Sequence, residues 1–173
     1  MPLFEKHHKD EILADFESRL KELGFTRKRK DLFVREAQDG LVHAVNVSLQ
    51  SHTINLHIEP IFRIMHAEAG KLAQAAIFHG KPVPKDSLQR EACATLLQGP
   101  VSFLLAHKMG PDTGKPDRSK YTIFDPSERK EAVRLIMNDL KSLHDDFFQK
   151  ARDLDGIVTV SYTHLTLPTT SKV

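Results

Sequence analysis

Asn55, His57 and Glu59 alternate along the run TINLHIEP, and they are the residues here whose types could do chemistry together. On a β-strand they would share one face, about 7 Å apart. A histidine beside a carboxylate can serve as a general base, or help to hold a metal. Asn46 and Ser48 fall in the same phase of the preceding alternating run and would look out from a paired strand. Asn46, Ser48, Asn55, His57 and Glu59 therefore form the candidate binding face. A metal needs three or more converging ligands, and His-x-Glu supplies two at most. The remaining histidines show neither HxH nor HExxH spacing, so no metal site and no cofactor are expected. The simplest reading of the same spacing is a solvated polar sheet face. A ligand or partner surface comes second. A catalytic site, with His57 and Glu59 as its acid–base pair, comes third.

Other reactive residue types lack a setting. Arg27, Lys28, Arg29 and Lys30 make the one basic cluster. It could touch phosphates, but no aromatic platform is interleaved with it, and a solvated helix–strand junction explains it more simply. Ser48 and Ser102 have no GxSxG context. Cys93 sits in EACATLL, where it reads as a small buried hydrophobe rather than a nucleophile. GKPVPK and GPDTGKPD contain Gly and Lys without phosphate-loop spacing.

The elements that must position the candidate face can be drawn from periodicity. Residues 10–23 place Ile12, Leu13, Phe16, Leu20 and Leu23 on one helical face, with Asp10 as N-cap and Gly24 as the stop. A β-meander follows. Strands are expected near residues 25–27 and over 31–37, then a hairpin turn at Asp39 and Gly40, then strands over 41–50 and 53–60, the last ended by Pro60. Val45, Val47, Leu49, Ile54, Leu56 and Ile58 are read as inward. One apolar and one polar face indicate an antiparallel sheet with helices on a single side. Residues 65–78 read as a helix closed by Gly80. Residues 88–107 fit two buried strands about Gly99 and Pro100, or helix pieces. Residues 108–120 form a polar loop, and 121–124 a short strand. The last element is the plainest: Asp125 as N-cap, Pro126 in the first turn, Glu128 at N3, then the stripe Val133, Ile136, Leu140, Leu143 and Phe147.

Composition bounds the function. The 173 residues carry 25 basic and 23 acidic side chains, a net charge of +2. That near-balance argues against a general electrostatic nucleic-acid binder. A single Cys excludes a disulfide framework and suits a reducing cytoplasm. The N-terminal residues lack the apolar stretch of a signal peptide, and no apolar run approaches a membrane span, so a cytoplasmic location is expected.

The segment VSYTHLTLPT, residues 160–169, resembles the in-frame translation of a transposase sequencing adapter, GTC TCT TAT ACA CAT CTG ACG CTG CCG ACG. The adapter requires the preceding codon to end in CT, which Thr159 permits. After a short barcode it requires Val and a stop, and the chain ends at Val173. Residues 159–173 are accordingly expected to be a non-native tail, and residues 1–158 a single domain truncated at its C-terminus.

Gly24 and Phe25 with Arg27 and Lys28, Phe33 with Arg35, residues 46–50 (NVSLQ), and Ile54, Asn55 and Leu56 together resemble a family of small bacterial proteins known as a domain of unknown function. Helix 128–148 also sits where that family places a C-terminal helix. The middle departs from the pattern, since the Trp-containing segment is missing and the chain has no Trp. The resemblance implies an α+β sheet-and-helix domain and transfers no catalytic residue. The expectation is a bacterial cytoplasmic α+β domain, one antiparallel meander with helices on one face. Its role would be non-enzymatic, a binding or accessory protein with another protein as partner. One form of this, by analogy with other small α+β domains, is an immunity-type protein that neutralises a toxin. The alternatives are a small enzyme using His57 and Glu59, and a weak nucleic-acid binder using residues 27–30.

Overall fold

The computed structural model describes residues 4–77, 94–108, 119–143, 149, 152–153 and 155–156. Helix α1 (Lys6–Glu22) comes first, and its buried stripe is Ile12, Leu13, Phe16 and Leu20. It starts four residues before the expected Asp10. Glu5 is the N-cap, and its backbone N–H donates to His8 Nδ1 at 3.2 Å in a reciprocal capping box. Asp10 instead pairs with Lys30 at 2.7 Å. The helix ends at Gly24, whose φ of +80° is left-handed; a Cβ there would also meet the Arg35 side chain at 3.3 Å.

Four antiparallel strands follow in meander order: β1 (Thr26–Arg29), β2 (Leu32–Glu36), β3 (Leu41–Ser51) and β4 (Leu56–His66). Asp39 (φ +55°) and Gly40 (φ +73°) turn the chain between β2 and β3, as the Asp-Gly signal predicts. Strand β4 does not end at Pro60. It runs on to His66, with Pro60 opposite Val47. Val47 donates its N–H to Asp31, away from β4, so Val47 and Pro60 form a non-hydrogen-bonded pair. The proline nitrogen then faces the outer edge of β4, where its missing N–H breaks no bond to β3.

Helix α2 (Ala67–Ile77) follows β4 directly. Strand β5 (Thr95–Pro100) pairs with Ile61 to Met65 of β4, and helix α3 (Val101–Lys108) starts at the next residue. Of the ambiguous segment, residues 95–107 are thus one strand and one helix, changing at Pro100, and residues 88–93 lie outside the described residues. Strand β6 (Thr122–Ile123) pairs with Leu56 and His57 farther along the same edge. Helix α4 (Arg129–Leu143) is capped as its sequence implies. Asp125 accepts from Ser127 N–H at 2.8 Å, and Glu128 accepts from Phe124 N–H at 2.8 Å. The expected helix end at Phe147, the Gly80 stop, Cys93, the centre of the polar loop and the tail 159–173 lie outside the described residues.

The architecture is α+β, an antiparallel sheet ordered β1-β2-β3-β4-β5 with β6 on the far end of β4. Leu41, Val45, Val47, Leu56, Ile58, Phe62 and Ile64 join the buried stripes of α1 and α4 in one core. Two readings of inward and outward fail. Ile54 is 65% exposed because residues 52–55 are the β3–β4 turn, not strand. The opposite sheet face is not simply polar: it carries Val42, Ala44, Ile61 and Met65, and Ala44 is fully buried.

Four of the residues behind the family resemblance, Phe25, Arg27, Phe33 and Arg35, stack beside the end of α1. Arg35 donates to Leu23 O at 3.1 Å, closing the end of α1, and lies 5.2 Å over the Phe25 ring. Arg27 lies 5.8 Å over Phe33. Burial lowers the Arg35 pKa from its ordinary value. The motif thus ties the first helix to the sheet.

Candidate functional site

Register places Ser48 opposite Glu59 and Gln50 opposite His57. Ser48, His57 and Glu59 therefore share one sheet face, as the alternation implies, and Asn46 lies two residues along it. Asn55 does not join them. It belongs to the turn, where its backbone carbonyl accepts from His52 N–H at 2.9 Å, and its side-chain Oδ1 is buried without a hydrogen-bond partner. Asn46 is committed elsewhere: its amide donates to Asp31 O at 2.9 Å and Asp31 Oδ2 at 3.0 Å, holding the turn into β2. Ser48 Oγ accepts from Gln50 Nε2 at 3.5 Å.

His57 and Glu59 are not solvated. Their side chains are 15% and 8% exposed. His57 Nε2 lies 3.3 Å from Glu59 Oε2, and Nδ1 lies 3.1 Å from Thr122 Oγ1. Ser102, in the first turn of α3, donates its hydroxyl to Glu59 Oε1 at 3.2 Å and Oε2 at 3.3 Å. In the tautomer that suits both contacts, Nε2–H donates to the Glu59 carboxylate, which only accepts, and Nδ1 accepts from the Thr122 hydroxyl. The start of α3 beside Glu59 adds a helix N-terminus, which favours negative charge there. The result is a chain Thr122–His57–Glu59–Ser102 in which both imidazole nitrogens and both carboxylate oxygens have partners.

The fold explains why these four residues meet. Strand β4 has two partners on its outer edge, β5 at residues 61–65 and β6 at 56–57. Glu59 falls between them, where the chain turns from β5 into α3, so Ser102 closes on Glu59 from one side and Thr122 on His57 from the other. Ser102 and Thr122 are 43 and 65 residues away in sequence. No local spacing signals either one.

The basic cluster is the last three residues of the edge strand β1 and Lys30 in the turn after it, all four exposed. Arg27 pairs with Glu17 at 2.7 Å and Lys30 with Asp10, both on α1. Charges along an edge strand also block unwanted strand pairing.

A second feature went unread in the sequence. Where β2 stops, β3 continues from Val47 to Ser51 with β4 on one side and no described strand on the other. Beside it lies a groove of about 490 Å³ bordered by Lys9 and Leu13 of α1, Lys30, Asp31, Val47 and Leu49. Among the described residues, no group of three or more His, Cys, Asp or Glu is placed to hold a metal ion. No described helix is long and apolar enough to cross a membrane. No protein-family model, no curated protein and no solved structure matches the chain.

Proposed function

We propose that this chain is a non-enzymatic binding protein of the bacterial cytoplasm that acts by holding another protein. The observation that carries the reading is the closure of the Thr122–His57–Glu59–Ser102 chain. A general base needs a nitrogen or oxygen directed at substrate, whereas both His57 nitrogens are engaged within the fold. The quartet then locks β4, β6 and α3 together, and the work is left to the surface. The enzyme reading stays attached to the same pair, and the nucleic-acid reading to residues 27–30, where two of the four cations already face α1 carboxylates.

The finer form is an immunity-type role, in which the partner is a toxin encoded beside it. The experiment is co-expression of the full chain with each product of the neighbouring reading frames, followed by light scattering and a growth assay. A stoichiometric complex together with relief of toxicity is the expected result. No complex, with instead a substrate turnover that vanishes in His57→Ala while the variant still folds, would overturn the proposal in favour of the enzyme.

A further inference from the structure

We propose that the edge of β3 that no described strand pairs, residues 47–51, receives an extended acidic segment of the partner protein as an added strand. The inference rests on the binding-protein reading and says where binding occurs. Because Val47 points its N–H towards β2, the alternation of an antiparallel strand directs the backbone groups of Leu49 and Ser51 to the same side. Val47 uses its N–H on Asp31 O at 2.8 Å, the last backbone bond on that edge among the described residues. Beyond it, neither β2 nor any other described strand pairs with this side of β3. An open strand edge is a template for an incoming strand, whose main-chain bonds give affinity and whose alternate side chains give specificity.

The groove beside the edge states the chemistry of that strand. Leu49, half-buried, is the apolar side chain that the groove offers, and the core residues Leu13 and Val47 lie buried beneath it. Lys9 is half-buried at its rim and has no ion-pair partner among the described residues, while Lys30 next to it is paired with Asp10. A partner strand with an apolar side chain against Leu49 and a carboxylate for Lys9 fits both; the Asp31 carboxylate that also lines the groove already accepts from the Asn46 amide at 3.0 Å. A second copy of this chain fits less well. Its own edge segment VSLQS carries no carboxylate to offer Lys9.

The probes are two labelled decapeptides, one alternating Glu and Val and one alternating Lys and Val, with a third acidic peptide carrying Pro at two central positions. Anisotropy is measured on the full chain, with light scattering on the same samples. Saturable binding of the Glu–Val peptide is expected, weakened about tenfold by Lys9→Glu and by the prolines, which remove donors from the ligand without touching the protein. Equal binding of the Glu–Val and Lys–Val peptides would overturn the proposal. So would no binding, indifference to Lys9→Glu, or a dimer that blocks the edge. If the co-expressed partner still binds the Lys9→Glu chain at full affinity, the site is wrong while the binding function stands.

Discussion

At the scale of single residues, Thr122, His57, Glu59 and Ser102 form one largely buried hydrogen-bonded chain. His57 and Glu59 do share a face, because strand period is local and legible. Their burial is not local: it depends on Ser102 and Thr122, brought in by a change of strand partner along β4. Asn55 was lost for a related reason. The apolar–polar alternation continues through Thr53 and Ile54, yet the chain needs those residues for a turn. The quartet's structural role predicts a stability effect. Glu59→Ala strands the Ser102 hydroxyl and the His57 Nε2–H in a buried space, a loss of about 1–3 kcal/mol for unsatisfied partners. Urea unfolding should show that decrease, with Glu59→Gln losing less because one amide oxygen still accepts. Equal stability of Glu59→Ala and the wild-type chain would mean that the quartet is not holding these elements together.

At the scale of elements, caps and turns were the most legible signals. Asp125, Pro126 and Glu128 form the start of α4 as read, and the stripe from Val133 to Leu143 is buried. Pro60 was over-read: a proline ends a strand only where its N–H would be needed, and here it faces the outer edge. The stop of α1 at Gly24 was legible, but its start was not, since Glu5 with His8 is a less usual capping pair than an Asp. The α4 cap carries a pH prediction. The hydrogen bond from Ser127, then its backbone N–H, holds the Asp125 carboxyl below its ordinary value of 3.8. A depressed folded pKa means the cap's contribution is full above that value and is lost as the pH falls through the folded one. Thermal melts of Asp125→Asn should therefore lack this acid-induced loss, while staying within a few degrees of wild type at pH 7. Parallel acid profiles for the two proteins would show that the cap contributes nothing there.

At the scale of the whole molecule, the α+β meander followed from periodicity, and the order of its strands followed from short connections. The pairing of β5 and β6 with one edge of β4 did not, because distant segments compete for that edge without a sequence signal. The open end of β3 was invisible for the opposite reason: it arises from where β2 stops. The tail makes a prediction at this scale. Deleting residues 159–173 should leave the melting temperature unchanged, as expected of residues that resemble an adapter; a fall of several degrees would mean that they contribute to the fold. The claim that matters most is that this protein binds through its surface rather than reacting at His57. Isothermal titration of the co-expressed partner against His57→Ala and Lys9→Glu tests it most directly. Folded His57→Ala should keep its affinity while Lys9→Glu loses about tenfold. Loss of partner affinity in folded His57→Ala with Lys9→Glu unaffected would contradict it.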